Sequence, residues 1–169
     1  DLSLKVGGRT VKYIATGKTE GANAIVMYIH GRRGNRFQGA DDGMFGGNFN
    51  RIKNLMVRNG GVYLSTDYAW SKRKAKRQVA ALIDEYAENS PGAPIILICA
   101  SMGARPCWEL LDDPTTAAKI DGVIMIAGVS DPGFANSATV RDPTLWVPIY
   151  MTHGNDDTRV SWQRQDELF

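Results

Sequence analysis

Short apolar runs alternate along this chain with amphipathic stretches, and this alternation constrains the fold more than any other feature. Ala24–Ile29 and Pro94–Cys99 are continuous apolar runs, as expected of strands that are buried on both faces. Between such runs, apolar residues recur at helical spacing. They are Phe49, Ile52, Leu55 and Met56 in one stretch, and Val79, Leu82, Ile83 and Tyr86 in the next. Strands that alternate with helices predict an α/β fold with a mostly parallel sheet and right-handed crossovers.

The remaining elements follow from turn residues and shorter patterns. Gly7-Gly8 lies between two loosely alternating stretches, which predicts an N-terminal hairpin. We expect Asn48 to cap the first helix. Together these patterns predict about six strands and at least three helices. The further predicted segments are the strands Leu2–Val6, Val11–Ala15, Val62–Ser65, Gly122–Ala127 and Val147–Met151 and the helix Met102–Leu111.

Length and composition predict one globular domain, residues 1–169, and exclude several other classes of protein. Hydrophobic residues make up 43% of the chain and charged residues 22%, which are ordinary values for a globular domain. The longest apolar runs are far shorter than the roughly twenty residues of a membrane span, so we expect none. A net charge of +2 does not indicate a nucleic-acid partner. With only two histidines, Cys99 and Cys107 predict neither a disulfide framework nor a Cys/His zinc site.

In a parallel α/β sheet, ligands bind in the loops at the carboxyl ends of the strands. One such loop contains Ser101, because Cys99-Ala100-Ser101-Met102-Gly103-Ala104 joins a buried strand directly to a helix. A serine in a tight strand-to-helix turn needs small neighbours two residues before and two after it, and its hydroxyl is then exposed above the sheet. Gly103 meets this need, whereas Cys99 is larger than the usual glycine. The fragment alone also fits an ordinary N-cap serine.

Two other strand ends carry groups that would assist a nucleophilic attack by the Ser101 hydroxyl. His30-Gly31-Arg32 follows the strand Ala24–Ile29, and the backbone N–H groups of Arg32 and Met102 would then face one cleft as an oxyanion hole. The segment His153–Asp157 follows the last predicted strand and supplies a carboxylate. Three such strand ends in this order indicate a catalytic site more strongly than the serine alone.

On these three motifs, the chain resembles the α/β-hydrolase superfamily over nearly all of its length. The resemblance implies a three-layer α/β/α sandwich in which Ser101 is the nucleophile and the N–H groups of Arg32 and Met102 bind the oxyanion. The superfamily pattern H-G-x-x-D selects Asp157 as the catalytic acid, with Asp156 and Asp131 as alternatives. It also implies that no metal or organic cofactor is needed. The chain looks most like small, lidless bacterial esterases of the carboxylesterase, feruloyl-esterase or phospholipase kind.

The superfamily order of serine, acid and histidine is incomplete in this chain. No histidine follows Asp157. The first explanation is that the domain is C-terminally incomplete, and that a strand and histidine loop of about 30 further residues follow Phe169. The second is that His30 or His153 substitutes as the base. The third is that the domain binds a ligand or partner without catalysis.

Basic and aromatic residues near the predicted cleft suggest how a substrate would bind. Arg33 and Trp70 are the candidate substrate-binding residues, and an arginine in the oxyanion loop would bind a substrate carboxylate or phosphate. The basic run Lys72–Arg77 is consistent with either a solvated helix face or a site of contact with an anionic substrate or membrane surface. Gly39–Gly47 is glycine-rich and could act as a small lid. Five aromatic or sulfur-containing side chains could line an acyl pocket or belong to the core: Met44, Phe45, Tyr68, Trp70 and Trp146.

These observations lead to one expected function and two alternatives. We expect hydrolysis of a small-molecule ester through an acyl-serine on Ser101, with no nucleic-acid partner and no membrane span. The alternatives are a non-catalytic α/β-hydrolase-like binding domain and an acyltransferase that uses the same acyl-serine. The sequence leaves the compartment and the oligomeric state open, because a cytoplasmic and a secreted or periplasmic protein would both fit it.

Overall fold

A computed structural model describes residues 1–168, in which a seven-stranded sheet lies between two layers of helices. The sheet order is β1-β2-β4-β3-β5-β6-β7. The strands are β1 Leu2–Val6, β2 Arg9–Gly17, β3 Ile25–Ile29, β4 Val62–Thr66, β5 Ile95–Ala100, β6 Gly122–Ile126 and β7 Ile149–Thr152. The helices are α1 Asn48–Arg58, α2 Lys72–Asn89, α3 Ala104–Leu111, α4 Pro114–Ala117, α5 Ala138–Arg141 and α6 Gln163–Asp166. The predicted α/β class is confirmed, and the seven described strands match the seven segments named from the sequence, although the overall estimate was about six.

Five neighbouring strands of the sheet, in the order β4-β3-β5-β6-β7, are parallel. The N-terminal hairpin extends them at one edge. β1 pairs antiparallel with β2, and β2 pairs antiparallel with β4, so the predicted hairpin is confirmed. β3 and β5 lie side by side at the centre with Ile29 opposite Cys99. Their register therefore brings the loops that begin at His30 and Ser101 to the same edge of the sheet. This juxtaposition positions the candidate site.

The two helical layers differ in how completely they cover the sheet. α2 and α3 pack on one face, where Val79, Leu82, Ile83 and Tyr86 are buried in the larger core as predicted. α1 packs on the other face through Phe49, beside Tyr28 and Tyr63. The pattern predicted four core-facing residues on α1, but Leu55 is 59% exposed, and Ile52 and Met56 are only partly buried.

The first helix begins differently from the prediction. Gly47, not Asn48, is the N-cap residue, and it adopts a left-handed conformation with φ of 70°. Asn48 is already helical, so its side chain is not in a position to cap the helix. Glycine adopts this backbone conformation without the steric cost that a β-carbon would add. The loop before it contains two short 3₁₀ turns at Arg36–Gly39 and Phe45–Gly47.

Cys99 and Cys107 form a disulfide, which the sequence analysis did not predict. Their Cα atoms are 6.5 Å apart, because β5 turns sharply at Ser101 and α3 runs back along the sheet. Both side chains are fully buried. The disulfide is not one of several bonds in a disulfide framework, which the sequence excluded, but a single bond that ties a strand to the helix that follows it.

None of the helices within residues 1–168 is long and apolar enough to cross a membrane.

Candidate active site

Ser101 lies at the point where β5 ends and the helical turn toward α3 begins. Its φ of 51° places a non-glycine residue in the left-handed region, at a cost of order 1–3 kcal/mol. Residues Ser101–Gly103 form a single 3₁₀ turn that continues into α3, and the Ser101 side chain caps neither segment. The N-cap interpretation of this serine is therefore wrong. Such local strain is stored mainly at active sites and ligand clamps, which makes Ser101 the centre of the candidate site.

Two glycines allow the backbone to approach Ser101 closely. A β-carbon on Gly103 would lie 2.6 Å from the carbonyl oxygen of His30 and closer still to that of Ile29. A β-carbon on Gly31 would lie 3.1 Å from the Ser101 β-carbon. The sequence prediction for Gly103 is thus confirmed, and Gly31 is needed for the same reason on the facing loop. Cys99, the larger residue at the other flank, is accommodated because its side chain lies in the larger core, where its sulfur is bonded to Cys107.

Backbone N–H groups from two loops lie beside this turn. The N–H of Met102 belongs to the first turn of a helical segment, where N–H groups have no helical partner. The N–H of Arg32 donates to no carbonyl within the described chain. Arg32 lies in a four-residue turn that is closed by the N–H of Gly34, which donates to Gly31 O at 3.1 Å. Arg33, at the third position of this turn, has a φ of 61°.

A cleft of about 580 Å³ opens beside Ser101, and five residues line it. They are Arg32, Arg33, Trp70, Met102 and Arg105. The structure therefore brings together four predicted site residues from three different loops. Arg105 was missed by the sequence analysis. Its position four residues after Ser101 on a helix was the available signal, because residues at this spacing lie on one helical face.

His30 is buried beneath the loop that carries Gly31 and Arg32. Its Nδ1 lies 2.8 Å from the carbonyl oxygen of Gly31, and its ring stacks on Tyr68 at 4.5 Å between centroids. The Tyr68 hydroxyl donates to His30 O at 2.6 Å. Burial lowers the pKa of His30, because the charged imidazolium is poorly solvated there. Burial likewise raises the pKa of Tyr68 to about 12. These contacts fix the backbone on which Gly31 and Arg32 lie.

Asp157 and His153 contact each other in the turn after β7. His153 Nε2 lies 3.2 Å from Asp157 Oδ2 and 2.9 Å from the carbonyl oxygen of Val160, and Nδ1 lies 3.0 Å from Gln165 Oε1. All three neighbours are oxygen atoms, so both ring nitrogens are engaged by residues of this turn and of α6. The carboxylate Oδ1 of Asp157 accepts the N–H groups of Val160 and Arg159, and these bonds together with His153 lower the Asp157 pKa.

The two alternative acids have different surroundings. Asp156 is exposed. Asp131 accepts the N–H of Gly133 at 3.0 Å and lines a separate small cleft near Trp108. Within residues 1–168, no hydrogen bond joins either histidine to Ser101.

Several of the predicted basic and aromatic candidates lie outside the Ser101 cleft. Lys72 pairs with Glu109 at 2.9 Å and Lys76 with Asp113 at 2.8 Å, so part of the basic run at the start of α2 is neutralised. Trp146 lines a different, apolar cavity of about 260 Å³ near the start of β7, and its side chain is largely exposed. Phe45 contacts Phe49 of α1. Trp70, by contrast, forms one wall of the cleft.

The sequence matches no protein-family model and no curated protein, whereas the structure resembles many solved structures. A cold-adapted esterase from an Arctic intertidal metagenomic library, solved with bound PEG, superposes with a TM-score of 0.71 at 18% identity, over 99% of this chain and 76% of that one. A soluble variant of monoglyceride lipase from Saccharomyces cerevisiae gives 0.72 at 12% identity, over 99% and 80%. An alpha-beta serine hydrolase homologue from Coxiella burnetii gives 0.70 at 12% identity, over 99% and 79%. At these identities, the likeness is one of fold.

Proposed function

The chain has the α/β-hydrolase fold, and from this premise we propose that it hydrolyses carboxylic esters through an acyl-serine on Ser101. The observation that carries the proposal is the strained backbone of Ser101, at a φ of 51° between a buried strand and a helix. A serine in such a strand-to-helix turn exposes its hydroxyl above the sheet edge, and its neighbour Met102 lines the cleft together with Arg32, which supports the proposal.

In the proposed reaction, a histidine base takes the hydroxyl proton of Ser101 as Oγ attacks the ester carbonyl carbon, the carbonyl oxygen becomes an oxyanion, and the protonated histidine is then the general acid. The N–H groups of Arg32 and Met102 stabilise the oxyanion. The tetrahedral intermediate collapses, the alcohol leaves with a proton from the general acid, and the acyl group stays on Ser101. Water then attacks the acyl-serine, with its proton taken by the same base, and releases the carboxylic acid. Stacking of His30 on Tyr68 supports this assignment indirectly, since it rigidifies the loop that carries Arg32.

The base in this proposal is a histidine outside the 169 residues, and Asp157 is the carboxylate that orients it. The contacts of the two histidines support this choice. Both ring nitrogens of His153 face oxygen acceptors, and the His30 ring is buried under Tyr68. Asp157 is kept ionised by two backbone N–H donors, which suits a carboxylate that must stay charged beside an imidazolium.

Labelling with a fluorophosphonate probe tests the proposal most directly, because the probe reacts with activated serines. We expect peptide mapping of the natural full-length protein to find the adduct on Ser101, and Ser101→Ala to abolish both labelling and ester hydrolysis while the protein stays folded. Ser71→Ala is the matched control, because Ser71 is exposed and its side chain caps no helix. An adduct on another residue, or labelling that survives in Ser101→Ala, would contradict the proposal.

A non-catalytic binding domain is the second candidate. The observation that favours it is that neither histidine within residues 1–168 forms a hydrogen bond with Ser101. This candidate predicts a different result in the same experiment. The full-length protein would then resist the fluorophosphonate and would hydrolyse no ester, yet it would still bind a ligand in the cleft beside Ser101.

A further inference from the structure

Three arginine side chains converge on the cleft beside Ser101. Arg32 and Arg33 come from the loop after β3, and Arg105 comes from the first turn of α3. The two other lining residues, Trp70 and Met102, are uncharged. The cleft therefore has a purely cationic set of charges, with an aromatic wall on one side.

The charge balance around the cleft leaves these arginines without acidic partners among residues 1–168. Arg36, on the same loop, differs: it bonds the carboxylates of Asp1 and Asp67 at 2.6 and 2.8 Å, so its charge is neutralised. Lys72 lies near Arg105 but is paired with Glu109. No described ion pair involves Arg32, Arg33 or Arg105. Acidic residues thus compensate the neighbouring cations but not those that line the cleft.

The backbone at Arg33 gives an independent argument. The turn Gly31–Gly34 requires a positive φ at Arg33, which is a position where glycine is favoured. An arginine at such a position destabilises the fold, and local strain of this kind is typically retained where a side chain serves a function. The side chain it presents lines the cleft next to Ser101.

We propose that the cleft selects esters that carry a carboxylate, bound by Arg33 and Arg105 while Ser101 attacks the ester carbonyl. The inference rests on the proposed function, because it names the substrate class of the same site. Guanidinium groups bind carboxylates through paired N–H donors, and the aromatic face of Trp70 suits a flat apolar portion of the substrate beside that charge. The carboxylate lies on either the acyl side or the alcohol side of the ester bond, so the test uses one pair of substrates for each arrangement.

The test compares matched anionic and neutral esters with the natural full-length protein. One pair is 4-acetoxybenzoate and methyl 4-acetoxybenzoate, and the other is the mono-4-nitrophenyl ester of glutaric acid and 4-nitrophenyl pentanoate. Each kcat/KM is divided by the rate constant for hydroxide-catalysed hydrolysis, which removes the intrinsic difference in reactivity. We expect at least one anionic ester to be preferred by about five- to tenfold, the size expected of exposed charge pairs. Because salt screens such pairs, the preference should approach unity at about 1 M NaCl.

Variants then assign the preference to the arginines. Arg33→Gln and Arg105→Gln should each lower the ratio of anionic to neutral kcat/KM, and the double variant should abolish it. Arg51→Gln is the matched control, since Arg51 is an exposed arginine on α1, away from the cleft. Arg33→Gly should lower the ratio and also raise the melting temperature by about 2–5 °C, because it relieves the positive φ.

Two kinds of failure are distinguishable. If Ser101 is labelled and both neutral esters are hydrolysed, but neither anionic ester is preferred, the substrate class is wrong and the proposed function stands. The substrate class is also wrong if Arg33→Gln and Arg105→Gln leave the ratio unchanged, or if Arg51→Gln lowers it equally. If no ester is hydrolysed and Ser101 is not labelled, the proposed function falls and the inference falls with it.

Discussion

At the scale of single residues, the candidate site depends on a few side chains whose neighbours differ sharply. Asp156 and Asp157 are adjacent in sequence, yet Asp156 is exposed, whereas the Asp157 carboxylate accepts two backbone N–H groups and contacts His153. This difference makes the two residues a matched pair for testing which one is the catalytic acid.

Asp157→Asn is expected to lower the turnover of the full-length protein by about three to four orders of magnitude, because the catalytic histidine would lose its orienting carboxylate. Asp156→Asn should change turnover little. Steady-state kinetics on a nitrophenyl ester, with circular dichroism to confirm folding, measures both variants. A damaging Asp156→Asn beside a harmless Asp157→Asn would reverse the assignment.

At the scale of secondary-structure elements, close packing between the Ser101 turn and β3 is decisive. Gly103 lies against the carbonyl oxygens of Ile29 and His30, with no room for a β-carbon. Cys99 and Cys107 then join the end of β5 to the middle of α3 on the buried side. The turn is therefore held at three points: by its tight glycine contact, by the disulfide, and by the Val129 N–H, which donates to Ser101 O at 3.2 Å.

Gly103→Ala should destabilise the protein by about 1–3 kcal/mol, because the new methyl group forces the backbone of β3 and the Ser101 turn apart. Gly154→Ala is the control, since a β-carbon there meets no atom within 4 Å. Chemical denaturation measures the free energy of unfolding of both variants. Equal stability of the two would show that the β3 contact is looser than the structure indicates.

Removal of the disulfide in Cys99→Ala/Cys107→Ala should lower the free energy of unfolding by about 2–3 kcal/mol, the value expected from the entropy of closing so short a loop. Both sulfurs are buried, so part of the loss comes from packing. Urea denaturation of the oxidised protein, the reduced protein and the double variant measures the effect. If reduction leaves the unfolding midpoint unchanged, the bond does not stabilise the turn.

At the scale of the whole molecule, the two faces of the sheet are covered unequally and the site lies at one edge. Within residues 1–168, α2 and α3 bury the larger core, whereas α1 packs on the opposite face. The loops after β3, β5 and β7 reach the same edge because these strands are parallel. The proposed triad therefore needs its base at this edge of the sheet.

The 169-residue chain by itself is expected to be inactive, and the chain extended past Phe169 is expected to be active. A serine and an oxyanion hole without a base retain about 10³–10⁴-fold acceleration over water, far below enzymatic rates. Hydrolysis of a short-chain nitrophenyl ester by both chains measures the difference, with His30→Ala and His153→Ala as companion variants of the shorter chain. Full activity of the shorter chain that is lost in one of these variants would identify that histidine as the base.

The sequence by itself determined the α/β class, the order of strands and helices and the turn at Ser101. These features are local, because burial on one or both faces imposes a period on neighbouring residues and a tight turn needs small residues at fixed offsets. Gly103 was predictable for this reason. The burial of the α1 side chains was less predictable, because it depends on how much of the sheet other elements cover.

Only the tertiary structure decided which of the charged and sulfur-containing residues meet. Cys99 and Cys107 are bonded because α3 folds back along β5. Arg36 is neutralised by Asp1 and Asp67, which are distant in sequence, whereas Arg33 and Arg105 share the cleft. The physical reason is the strand order, which places the loops after β3 and β5 side by side. That order follows from the packing of the whole chain, and no short segment encodes it.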